Sequence, residues 1–165
     1  IKVPTVPWRK DKNSGEAAFE LIKAPDGYIY WSVTYTGHLF RFDPEKTDHI
    51  EDLGIIIGED IPNSRGPHCE AIALGKDGNF YLGVGFRLLT FDVDKSTAGA
   101  SSCNIVRYNP ITNKKADMGK IFINGEQITI LSEATTGHNG DIYFVTGDKA
   151  GDYLPLVIFH PPKEG

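Results

Sequence analysis

Apolar residues in this chain fall into short runs broken by Gly, Asn, Asp and Pro. Ile29-Tyr30-Trp31 follows Asp26-Gly27, Leu39-Phe40-Arg41-Phe42 ends in Asp43-Pro44, and a third run closes at Leu53-Gly54. The runs are rich in aromatic and β-branched residues, which suit a pleated, half-buried surface. Asp-Gly and Asn-Gly supply the positive φ of a tight hairpin turn, and proline presets φ for the second residue of another. The pattern predicts strand, turn, strand, turn, strand. No stretch reads as an amphipathic helix, so the fold class is all-β.

The phrase returns twice. Asp77-Gly78-Asn79-Phe80-Tyr81-Leu82 leads to Ile105-Val106-Arg107-Tyr108-Asn109-Pro110 and Met118-Gly119. Asn139-Gly140-Asp141-Ile142-Tyr143-Phe144 leads to Val157-Ile158-Phe159-His160-Pro161. Asp26 and Asp77 lie 51 positions apart, Asp77 and Asn139 62. Tyr30, Tyr81 and Tyr143 coincide, as do Trp31, Leu82 and Phe144; Arg41 matches Arg107, but the third copy has Ile158. Repeats of roughly 40–50 residues with four strands each are propeller blades. We expect a β-propeller of about three four-stranded antiparallel blades, in preference to a β-sandwich with similar hairpins. The expected layout is a single partial propeller domain over 1–165, with an arm at 1–16, blade one at 17–54, blade two at 70–119 and an incomplete blade three at 132–161. Asn124-Gly125 signals an extra strand pair between blades two and three. Closed propellers have at least ~4 blades, so the chain is expected to be part of a larger propeller or to pair with a second copy.

A length of 165 residues allows one domain with a real core. The net charge of −5 and the lack of a basic block argue against a nucleic-acid surface. No apolar run approaches the ~18 residues of a membrane span. A soluble chain is expected, with secreted and periplasmic locations open. The sequence starts at Ile1 without a signal-peptide pattern, which leaves a mature secreted chain, a processed product and a piece of a longer one open. Cys69 and Cys103 match neither a zinc pattern nor a redox pair; they form one disulfide or are two buried thiols, the second being preferred.

Candidate chemistry sits where each first strand would enter a central channel. Glu70 lies seven residues before Asp77 and Glu133 six before Asn139, nearly equivalent places on adjacent blades. His68 shares a strand period with Glu70. His68, Glu70 and Glu133 could act as acid and base or bind a hard divalent cation. Arg65 and Arg87 could hold the carboxylate of a uronate, because guanidinium matches its geometry. Trp31 is a core residue or a stacking platform for a sugar ring. In the bland reading the glutamates hydrogen-bond a neighbouring blade and the arginines are solvated. No phosphate loop, nucleophile elbow or metal-histidine helix is present.

The phrases PDGYIYW…LFRFDPEKTDHIEDLG and KDGNFYLG…IVRYNPITNKKADMG resemble blades of the NHL, streptogramin-lyase-like and SMP-30-like propellers and of propeller polysaccharide lyases. The likeness covers most of residues 17–161 and is carried by blade-forming motifs, so it speaks to fold more than function. Some relatives hold a metal in the channel through acidic or histidine residues, and the lyases use histidine, tyrosine or arginine there. His68, Glu70 and Glu133 stand where such residues would be carried over. The expectation is part of a carbohydrate-active, lyase-like propeller acting on or binding an acidic sugar. The alternative is a non-catalytic propeller domain for protein or glycan binding.

Overall fold

A computed structural model describes residues 18–33, 37–46, 50–57, 68–86, 102–146 and 154–162. Among them are strands and no helix. The first sheet takes β1 (Ala18–Lys23), β2 (Ile29–Val33), β3 (His38–Phe42) and β4 (Ile50–Ile55) in chain order. The second takes β5 (His68–Leu74), β6 (Phe80–Phe86), β7 (Ser102–Asn109) and β8 (Lys114–Lys120). A short hairpin of β9 (Phe122–Ile123) and β10 (Glu126–Gln127) follows. The third sheet has β11 (Leu131–Thr136), β12 (Ile142–Thr146) and β13 (Leu156–Phe159). Every pairing is antiparallel, and each sheet uses consecutive strands only. Three meanders side by side are propeller topology; a Greek-key sandwich would interleave distant strands.

The turns repeat atom for atom. Gly27, Gly78 and Gly140 have φ of 89°, 76° and 92° and donate their amides to Ala24, Gly75 and Gly137, each at 3.0 Å. In these three pairs only the glycine has positive φ, so these are three-residue turns with a glycine in the left-handed region, not two-residue hairpins. The hairpin at Asn124-Gly125 is of the two-residue kind, with φ of 52° and 83°. Tyr30 donates its hydroxyl to Asp26 Oδ2, and Tyr81 to Asp77 Oδ2, both at 2.7 Å. The turn aspartates thus serve as both turn residues and acceptors for the repeated tyrosines.

Two apolar cores lie between the sheets. Tyr30, Leu39 and Ala24 of the first sheet meet Ile72, Phe80, Leu82, Val106 and Tyr108 of the second. On the other side of the second sheet, Tyr81, Ala73, Cys103 and Ile105 meet Leu131, Ile142 and Phe144 of the third. Cys69 belongs to the first core and Cys103 to the second, and both are free, buried thiols. The neighbouring sheets are also tied by hydrogen bonds. Lys115 Nζ donates to Leu53 O at 2.9 Å and Ile55 O at 2.6 Å, Ser32 Oγ to Cys69 O at 2.8 Å, and Thr136 Oγ1 to Leu74 O at 2.7 Å. Lys76 Nζ donates to His138 O. Gly85 is required at a close approach, since a Cβ there would lie 2.7 Å from the backbone oxygen of Thr129.

Candidate functional site

The first strand of each sheet is the one nearest its neighbours: β5 packs against β1 and β2 on one side and against β11 on the other. Each of these strands is broken by an irregularity, at the same rung in β5 and β11 and one rung further along in β1. The pairing of β1 with β2 slips between Phe19 and Ile22, of β5 with β6 between Cys69 and Ala71, and of β11 with β12 between Leu131 and Glu133. A bulge inserts a residue, kinks the strand and re-aims its side chains. Here the bulges fall at Glu20-Leu21, Glu70 and Ser132, and Glu20 takes the unusual φ of 36°.

Glu20 is the residue that this geometry brings inward. Its Oε2 accepts the Ile72 amide of β5 at 3.3 Å, and its carboxylate also accepts the Ala134 amide of β11. One side chain of the first sheet therefore bridges the first strands of two other sheets. Burial pushes the Glu20 carboxyl above the usual glutamate range, the Ile72 amide opposes this, the nearby Glu133 charge adds to it, and the Ala134 amide opposes it. Glu133 itself is exposed and Glu70 half-buried. Burial drives the Cys69 thiol up to about 12, against a hydrogen bond from Ser32, and the Glu70 and Glu20 charges push the same way as burial. Three carboxylates from three first strands thus share one end of the fold.

The ladder keeps the one-position offset that the spacings of seven and six residues show. Glu133 pairs with Val145, whose counterpart in the second sheet, Gly83, pairs with Ala71. Glu70 is the extra residue of its bulge and corresponds to Ser132. The strand period from His68 is interrupted at Glu70 for the same reason; the His68 backbone pairs with Gly85 in β5. Arg65 and Arg87 lie outside the described residues. Trp31 is 4% exposed and stacks on Phe40 with ring centroids 5.6 Å apart, which leaves little ring surface for a sugar. Among the described residues no group of three or more His, Cys, Asp or Glu is placed to hold a metal ion. No described helix is long and apolar enough to cross a membrane.

Glu20 was missed from sequence although the signal was there. It lies six residues before Asp26, the same spacing as Glu133 before Asn139. The flanking Phe19 and Leu21 make the stretch look like plain alternation.

No protein-family model and no curated protein matches the sequence. Solved structures do match the fold. A PQQ-bound aldose sugar dehydrogenase from Streptomyces coelicolor aligns with TM-score 0.51 and 18% identity, over 82% of this chain and 39% of the other. A protein assigned as an exo-beta-1,3-galactanase from Bifidobacterium bifidum aligns with TM-score 0.51 and 15% identity, over 85% of this chain and 50% of the other. A virginiamycin B lyase from Staphylococcus aureus aligns with TM-score 0.36 and 15% identity, over 92% and 58%. The chain is part of a β-propeller. It spans 39% and 50% of the first two chains, so the three sheets are blades of an arrangement that continues in those proteins.

Proposed function

We propose that the bulged ends of the three inner strands form a ligand site of a carbohydrate-active propeller, with Glu133 and Glu70 as the groups that meet the ligand. The observation that carries this reading is the Glu20 bridge. It satisfies the edge amides of Ile72 and Ala134 internally and leaves the exposed Glu133 beside it. Carboxylates in such a setting accept hydrogen bonds from sugar hydroxyls, and a carboxyl group within reach of a ligand can take or give a proton. The two similar propellers bear sugar-directed names but share only their fold with this chain.

The finer reading is lyase-like action on an acidic sugar. The base, His68 or Glu70, takes the proton beside the sugar carboxylate. The bond to the leaving oxygen breaks, Glu133 protonates that oxygen, and a carbon–carbon double bond remains. Glu20, Glu70 and Glu133 alone repel an acidic ligand, so this reading needs Arg65 and Arg87 to supply the matching charge. The alternative is a non-catalytic glycan- or protein-binding domain. Calorimetric titration with neutral and uronate oligosaccharides, with absorbance of an unsaturated product followed in parallel, separates the readings. Binding weakened at least ~10-fold by Glu133→Gln supports the site. New absorbance that is lost in Glu133→Gln supports the lyase. Binding indifferent to Glu133→Gln and Glu70→Gln removes the site.

A further inference from the structure

One rung of the ladder recurs in blades one and two, closed in the first and open in the second. In blade one it runs Ile22, Tyr30, Arg41 and Glu51 across β1 to β4. In blade two it runs Ala73, Tyr81, Arg107 and Ala116 across β5 to β8. Arg41 donates Nε and Nη2 to Glu51 Oε2, both at 2.7 Å, and also donates to the Tyr30 hydroxyl. Its Cζ lies 4.7 Å from the centre of the Tyr28 ring. Blade two keeps the arginine and the tyrosine, but Ala116 stands in place of Glu51 and Asn79 in place of Tyr28. Among the described residues no carboxylate pairs with Arg107. Asp77, the acid of the adjoining turn, is taken by the Tyr81 hydroxyl and Asn79 Nδ2, each at 2.7 Å. Lys114, exposed and on the same face of β8 as Ala116, adds a second positive charge.

We infer that Arg107 binds the carboxylate of a small organic acid, seated where Glu51 holds Arg41. The closed rung shows that a carboxylate fits here, and guanidinium and carboxylate form short, charge-assisted pairs. Arg107 is half-buried, so it has lost part of its hydration without gaining a counter-charge, and an anion offsets that loss. The opening belongs to the rung and not to a missing neighbour. Blade two packs on the same face of blade one with all four of its strands, yet the Arg41 and Glu51 side chains are still 25% and 41% exposed. The vacated position is Ala116, within blade two itself. The rung lies level with Ala73 and reaches Arg107 two strands outward from β5, away from Glu20, Glu70 and Glu133. The inference is therefore independent of the proposed ligand site.

The test is NMR of the Arg107 side-chain Nε–H signal in the whole chain, titrated with acetate, glucuronate and glucose at constant ionic strength. Acetate and glucuronate should move the signal saturably with a Kd of about 1–50 mM, and glucose should leave it still. Equal affinities mean that the carboxylate alone is read; glucuronate at least ~10-fold tighter means that the sugar ring is read as well. Ala116→Glu should abolish both titrations by supplying the carboxylate from within, while the thermal transition stays at or above the wild-type value, which mere loss of structure would not do. Arg107→Gln should abolish the acetate response of the Ala116 amide, and Glu133→Gln should alter none of these titrations. An Arg107 signal that stays still up to ~100 mM of either acid, an equal response to glucose, or titrations that survive Ala116→Glu unchanged overturn the inference.

Discussion

Replacing Gly83 by alanine measures whether blade three seats on blade two as described. A methyl group built at Gly83 would lie 2.6 Å from Leu131 Cβ, 2.8 Å from its Cδ1 and 3.2 Å from its Cγ. Leu131 is buried and cannot swing into solvent. Overpacking of this kind costs about 1–3 kcal/mol. Gly83 does not have positive φ, so alanine recovers about 0.4–1 kcal/mol by restricting the unfolded chain. The net loss is about 1–2 kcal/mol, which lowers the Tm by roughly 2–8 °C for a chain of this size. Leu131→Ala alone opens a cavity and costs about 2–5 kcal/mol. In the double variant Cγ and Cδ1 are gone but Cβ stays, so the methyl is accommodated in part and the two losses should fall short of their sum by about 1 kcal/mol. Urea denaturation of the four proteins gives the cycle. A neutral Gly83→Ala, or losses additive within ~0.3 kcal/mol, would refute the packing.

Other expectations follow from the ties within and between blades. Burial works to raise the Asp77 pKa, but hydrogen bonds from Asn79 and Tyr81 outweigh it and hold the carboxyl below its usual range. Its stabilisation is complete above the unfolded pKa and is lost as pH falls through the folded one, so Asp77→Asn should flatten the acid limb of a stability–pH curve below about pH 4. Burial lowers the Lys115 pKa, so its contribution rises as pH climbs through the folded pKa toward the unfolded value. Lys115→Met should abolish that alkaline rise and cost about 1–3 kcal/mol by leaving the Leu53 and Ile55 carbonyls without their donor, as chemical denaturation at pH 7 and 10 would read. Cys69 and Cys103, both free and buried, should resist a thiol reagent in the folded protein and react on unfolding. Rapid labelling of either under native conditions would contradict its placement.

The repeated blade was legible because its signals are local. Asp-Gly before an aromatic strand, and Asp-Pro or Asn-Pro after the next, need no tertiary context, and the first, second and third sheets appear where those phrases stand. The extra hairpin at Asn124-Gly125 was readable for the same reason. What the sequence concealed was the bulge. One inserted residue in β1, β5 and β11 shifts the period-two pattern part-way along each strand, so spacing alone did not tell that Glu70 is itself the inserted residue while Glu133 stands one position further on, in the ladder. Glu20 was hidden twice, by apolar neighbours and by a backbone conformation that a non-glycine residue rarely adopts. Its partners are backbone amides of other blades, 52 positions away for Ile72, and no local pattern announces them.

The bridge from Glu20 to the inner strands of blades two and three is the claim on which the site rests, and amide NMR through a pH titration tests it most directly. The Ile72 and Ala134 amide signals should move together with one midpoint above the ordinary glutamate value of ~4.3. Glu20→Gln should abolish both movements, and Glu133→Gln should lower the shared midpoint by removing the neighbouring charge. Amides that titrate with unrelated midpoints, or that still move together in Glu20→Gln, would show that Glu20 does not join these strands.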